Sequence, residues 1–279
     1  MAYPSVSAPY GLKPINLIGG QTFAGSTREL PIQYGYATDI GYGDILELAR
    51  GTVVKSTITT SSASHQLIGV FLGCTYTSPT TKQKMFSQNW PSGTLAGDAM
   101  AYICDDPDTV FQVVMCSATT VVASGAIAMI GQNLGLIQNA VNLNNGDSTV
   151  AALYSATTTT NVLPLRVVGL VGESAITASA PGSSSSTTIT LTGSGSPIAL
   201  PVGTDVGYIA ANGQFIQTGS YVSVAAVAGA TSITINSAIA VPGSVTAIPS
   251  ASTVVFTQYP ELKVKLNFGA HEYYTATAI

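Results

Sequence analysis

The residues predict an all-β chain, and three observations carry that expectation. Runs of β-branched and aromatic residues alternate with polar ones at a period of two. Gly, Pro, Asn and Asp interrupt these runs at short intervals, with 28 Gly and 14 Pro in 279 residues. No stretch places apolar residues at i, i+3, i+4 and i+7 over three turns, as an amphipathic helix requires.

Residues 1–30 read as an extended arm. Pro4, Pro9 and Pro14 oppose helix, while Tyr3, Tyr10, Leu12, Ile15, Leu17 and Phe23 supply anchors. Such a strip, without a hairpin partner, either packs along its own domain or reaches onto a neighbouring subunit. Strands are expected at 30–36, 44–49, 51–56 and 67–76, which together suggest a small barrel. The loop 83–91 follows and carries Phe86 and Trp90, the one tryptophan of the chain. Both are either core anchors or interface contacts, where aromatic residues are enriched.

Strands at 99–104 and 109–116 flank the acidic turn Asp105-Asp106-Pro107-Asp108. Pro107 favours a turn, so the pair reads as a hairpin. Three carboxylates within four residues could also supply oxygen ligands to Ca²⁺, although the spacing is not that of an EF-hand loop. Residues 123–133 fit a short helix or another strand. Asn144-Asn145-Gly146-Asp147 is a strong turn, and 162–171 is the strand after a Thr-rich run.

At residue 175 the composition changes. From there to residue 258 Asp205 is the single charged residue, and short strands are separated by Gly, Pro or Asn. This stretch reads as a separate, β-sandwich-like module. Charge returns in the alternating strand LKVKLNF, which suggests that 175–258 is inserted into a first domain made of 31–174 and 259–279.

Charge also bounds the function. Only 8% of residues are Asp, Glu, Lys or Arg, against roughly 25% in an ordinary domain. A surface of Ser, Thr, Gly, Asn and Gln carries little desolvation cost, so wide protein contacts form readily. Net charge is −4, and the nine Lys and Arg residues form no basic stripe, so direct nucleic-acid binding is not expected. Lys82 and Lys84 are either solvated or contact an acidic partner. The stretch 119–137 is uncharged but too rich in Gly and polar residues for a membrane span. The N-terminus shows no signal-peptide pattern, which points to synthesis in a reducing cytoplasm.

Chemistry-bearing residues are few. Cys74, Cys104 and Cys116 fit neither a disulfide framework nor a zinc site and are expected as buried thiols. The two histidines, His65 and His271, belong to no HExxH motif, and no GxSxG is present. His271 either pairs with Glu272 or caps a strand end. The Gly-rich GYGD and GSGSP lack the strand-to-helix setting of a phosphate loop and read as turns. The expectation is a non-enzyme without cofactor or metal.

Several stretches then resemble a known family: APYGLKPINLIGG, GYATDIGYGDILEL, LIGVFLGCTY, NWPSGTLAGDAMAYICDDPDTVFQV, and LPLRVVGLV followed later by ELKVKLNFGAHEY. They are similar to head-decoration, or cement, proteins of tailed bacteriophages, especially short-tailed phages of aquatic bacteria and cyanobacteria. The resemblance lies on both sides of the charge-poor stretch. It implies a barrel- or tulip-like capsid-binding domain, a homotrimer on the outer surface of the virion, and the phage major capsid protein as partner at local threefold positions. On that reading Tyr3, Tyr10, Leu12, Ile15, Phe23, Phe86 and Trp90 are the candidate interface residues. A host-recognition tail fibre or capsid-borne adhesin is the alternative, with the inserted module engaging a host-surface glycan. The major capsid protein itself fits less well, because no long spine helix is predicted.

Overall fold

The computed structural model describes residues 6–60, 67–158, 163–239, 247–250, 252–267 and 271. The chain is all-β: nineteen strands and two single-turn 3₁₀ segments make up the regular structure among the described residues. It divides into two compact units. The smaller takes residues 1–7, 122–130 and 169–262, and the larger takes 8–121, 131–168 and 263–279. The smaller unit therefore begins before the composition break at 175 and includes two stretches from far upstream, 1–7 and 122–130. Packing, not charge, sets its limits.

Two sheets build the larger unit. In the first, the order is Arg28–Pro31, Met100–Cys104, Leu67–Thr77, Ile45–Ala49, Thr52–Lys55. The eleven-residue Leu67–Thr77 is long enough to pair with Ile45–Ala49 along its first half and with the short strand Lys84–Ser87 along its second. Gly69 lies where Leu67–Thr77 crosses Met100–Cys104, and a Cβ there would overlap the Cys104 carbonyl oxygen. A parallel bridge between Ile32 and Val53 brings the two outer strands together. Ile32, Leu46, Val53, Ile68, Phe71, Ile103 and Trp90 form the core beneath.

In the second sheet the order is Lys13–Leu17, Thr109–Ala118, Ala151–Thr158, Asn133–Ile137, Leu165–Leu170, Glu261–Leu266, and the last strand pairs again with Thr109–Ala118. The hydrogen-bonded order thus returns to a strand it has already passed. Leu165–Leu170 and Glu261–Leu266, the strands that flank the charge-poor stretch, are neighbours. Asp44 ties the loops of the larger unit together, accepting from Gly41 N–H at 2.8 Å and from the Ser148 hydroxyl at 2.6 Å.

The smaller unit holds one six-stranded sheet in the order Phe215–Tyr221, Asp205–Ile209, Ser252–Gln258, Ile176–Ser185, Thr188–Leu191, Ser232–Thr234. Here too the outer strands meet, through a bridge between Val222 and Ile235 and a bond from Asn236 N–H to the Tyr221 carbonyl at 2.9 Å. Where a sandwich-like pair of sheets was expected for this module, the described residues form one sheet round one core of Ile189, Leu200, Val206, Tyr208, Ile233, Val254 and Phe256. Bringing its ends together removes the open edges that a flat sheet would expose.

Two further expectations change, and an open alternative is decided. The described part of the arm packs along its own domain: Lys13–Leu17 pairs antiparallel with Thr109–Ala118, and Leu12 is fully buried. Pro14 is tolerated because this strand lies at an edge and its ladder is irregular just there. Met100–Cys104 and Thr109–Ala118 form no hairpin but belong to different sheets. Met100–Cys104 already has a neighbour on each side, so the acidic turn instead carries the chain from one sheet to the next. Residues 123–133, expected as one element, contain the 3₁₀ turn Ile127–Met129 and the start of strand Asn133–Ile137.

Candidate interaction surface

Phe86 and Trp90 lie four residues apart and have opposite fates. Trp90 is buried, its indole Nε1–H donating to the Tyr36 carbonyl at 3.2 Å and its ring meeting Tyr76 edge-on at 5.4 Å. That burial places it beyond the reach of a partner. Phe86 is 75% exposed. It stands on Lys84–Ser87, which pairs through Phe86 with Thr75 and through Ser87 with Cys74, and on one side only among the described strands. Met85, its neighbour, is also exposed.

Beside this strand lies an open groove of about 600 Å³, lined by Lys13, Tyr42, Phe86, Gln88, Tyr102 and Asp147 among others. The first sheet supplies Phe86 and Tyr102 from strands that both pair with Leu67–Thr77. The turn 144–147 supplies Asp147, oriented by two bonds: Gln88 Nε2 donates to its Oδ1 at 2.7 Å and Asn145 Nδ2 to its Oδ2 at 2.7 Å. Burial raises the Tyr42 phenol above its ordinary range, and the negative charge of Asp147 adds to the effect. Tyr42 therefore stays a neutral hydroxyl donor at any physiological pH. The Lys13 ammonium sits 4.4 Å from the centre of the Tyr10 ring, a cation–π contact at the groove's margin. Three aromatic side chains beside a lysine, an amide and a carboxylate make a surface suited to a polypeptide with both apolar and polar groups.

The remaining predicted interface residues do not converge. Leu12 belongs to the core, whereas Tyr10, Ile15 and Phe23 are half-buried. Tyr3 lies outside the described residues, as do His65 and Glu272. Lys82 and Lys84 are exposed, and Lys84 helps hold the Asp98 carboxyl below its usual range, behind the stronger effect of bonds from Thr77 Oγ1–H and N–H.

The three acidic-turn carboxylates point to separate partners. Asp105 meets Arg28 Nε at 2.7 Å, Asp108 meets Lys265 Nζ at 3.5 Å, and Asp106 accepts the Asp108 N–H at 2.8 Å within the turn. That accounts for the cluster through ion pairs and turn geometry. All three cysteines are buried free thiols, with burial pushing Cys74 up to about 12 and Cys104 and Cys116 up to about 11. Thiols so shifted are poor nucleophiles. Tyr42, Gln88 and Tyr102 were not singled out from the sequence; Phe86 and the turn signal at Asn144–Asp147 marked parts of the groove.

Fold and surface together define an all-β chain of two compact units whose larger unit presents an aromatic groove beside a one-sided strand. No family model, no curated protein and no solved structure matches it.

Proposed function

We propose that this chain is a non-enzymatic structural protein that decorates the outer surface of a phage head, assembling as a trimer and binding the major capsid protein across the junctions between capsomers. The observation that carries the reading is the strand Lys84–Ser87. This four-residue spur pairs on one side only among the described strands and holds Met85 and Phe86 in solvent. An exposed Phe covered by a partner gains about 25 cal/mol for each Å² of apolar area removed from water. Three such contacts on one trimer act together, so modest individual affinities suffice. With 8% charged residues, little else on the surface resists desolvation.

Purified particles test the proposal. Band densities should place the chain at a fixed stoichiometric ratio to the shell protein, and Phe86→Ser should lose binding to undecorated shells while keeping its thermal midpoint. Full occupancy by the Ser variant would overturn the assignment of the site. A count of only a few copies per particle would overturn the decoration reading in favour of a host-recognition adhesin.

A further inference from the structure

Asp205 is the single charged residue between positions 175 and 258, and it is only 2% exposed. Its strand, Asp205–Ile209, turns Val206 and Tyr208 into the core of the smaller unit, so a period of two sends Asp205 to the opposite face. A strap made of residues 122–130 covers it there. Ser124 N–H donates to the Val202 carbonyl at 2.9 Å, Gly125 N–H donates to the Tyr259 carbonyl at 2.7 Å, and Tyr259 N–H returns to Ser124 Oγ at 2.8 Å. A Cβ on Gly125 would overlap Leu262, so glycine permits this close approach. The last stitch is Ile127 N–H, which donates to Asp205 Oδ2 at 2.9 Å where the 3₁₀ turn begins.

The second carboxylate oxygen, Oδ1, has no hydrogen-bond partner among the described residues. A buried carboxylate that has so few donors is costly to keep ionised. The titratable groups on the elements packed around it are Tyr221, opposite on the neighbouring strand, and Tyr259, just past the end of the other. The strap itself carries no charged or titratable residue, and no cation stands on either neighbouring strand. Burial raises the carboxyl to about 6, offset only in part by the Ile127 N–H. Burial, and then the charge of Asp205, raise the Tyr259 phenol.

We infer that the strap 122–130 is a pH-sensitive latch, closed over the smaller unit while Asp205 is neutral and released as Asp205 ionises. Opening the strap is the route by which the charge reaches water. Between the ordinary carboxyl value of 3.8 and the raised value of about 6, the closed form holds the proton more tightly than the open one. Each rise in pH across that window therefore favours opening. The inference stands apart from the decoration reading, since it involves neither Phe86 nor a partner.

Hydrogen–deuterium exchange on the full chain, corrected for the intrinsic pH dependence of exchange, reads the latch directly. Between about pH 5 and about pH 7.5 the strap amides should open about tenfold more often, the factor implied by moving a carboxyl from its covered to its free value. Asp205→Asn keeps an acceptor for Ile127 N–H but has no charge to expose, so its strap should be equally protected at both pH values. An unchanged wild-type strap, or the same pH response in the Asn variant, would overturn the inference. Should the Asn variant fail to fold, Ile127→Pro decides. Ala126 is already extended, with φ −115° and ψ 150°, as a residue before proline must be. Without the donor, the strap should be weakly protected at both pH values. A Pro variant that keeps wild-type protection and pH response would sink the latch.

Discussion

Lys55 Nζ lies 3.0 Å from Asp44 Oδ2, with the Asp44 side chain wholly shut off from solvent and that of Lys55 10% exposed. The ammonium also donates to the Asn139 carbonyl at 3.3 Å, and the Ser148 hydroxyl completes the shell of Asp44 from 104 residues away. Lys55→Met would leave Asp44 buried without its counter-ion and should destabilise the larger unit by about 3–5 kcal/mol. Adding Asp44→Asn removes the stranded charge, so the double variant should be less damaged than Lys55→Met alone. Urea titrations of the three proteins check this; equal losses for single and double variants would mean that the pair is not coupled.

Burial separates two aromatic residues and one arm residue into distinct predictions. Trp90→Ala should cost about 3–5 kcal/mol and Leu12→Ala about 2–5 kcal/mol, as expected for filled core positions. Phe86→Ala should stay within about 0.5 kcal/mol of the parent, as an exposed side chain does. Thermal unfolding of the three variants, followed by circular dichroism, distinguishes them. A stable Leu12→Ala protein that fails only in assembly would restore the arm to the role of an interface element.

Gly69→Ala places a methyl group against the Cys104 carbonyl oxygen. Backbone cannot rotate away as a side chain can, so the Leu67–Thr77 and Met100–Cys104 ladder must shift, at a cost of about 1–3 kcal/mol or more. Hydrogen exchange should show lost protection along both strands, with the smaller unit unchanged.

His271 is buried, bridges Leu67, and has its pKa lowered by burial, against the opposing effects of the Asp105 charge and carbonyl. A histidine that binds its proton less readily when folded contributes stability that is present at and above the ordinary value of 6.5 and is lost as pH falls from there through the folded value. The larger unit should therefore unfold more readily at about pH 5 than at about pH 7.5, and His271→Gln should weaken that dependence. Midpoints from calorimetry across this range test the sign. The trend is opposite to the one Asp205 confers on the smaller unit.

Local pattern carried the strands well. Expected runs at 44–49, 51–56 and 67–76 correspond to Ile45–Ala49, Thr52–Lys55 and Leu67–Thr77, because alternation and turn residues act within a few positions of each other. The run at 30–36 fared worse: the strand is Arg28–Pro31, and Gln33–Tyr36 closes a turn instead. Pairings between distant segments were not readable. Leu12 looks like an anchor for something, yet nothing near it says that the something is its own sheet. The groove joins Lys13, Tyr42, Phe86, Tyr102 and Asp147, which no sequence spacing connects. Likewise, Phe86 and Trp90 are both aromatic residues in one loop, and only the pairing of Lys84–Ser87 on Leu67–Thr77 decides which faces water.

Closure within each sheet, of outer strands in two and of Glu261–Leu266 onto Thr109–Ala118 in the third, bears on time as well as on shape. Where the order runs full circle, a strand has a neighbour on each side, so pulling one out breaks two ladders at once, and partial unravelling offers little relief. Many of these pairings join segments far apart in the chain, such as Ile176–Ser185 with Ser252–Gln258, and closing such long loops makes folding slow. Contacts that form late, after the transition state, slow unfolding in turn. A chain built this way should fold slowly and, where its ladders close late, unfold slowly too, a trend that refolding and unfolding rates in denaturant check.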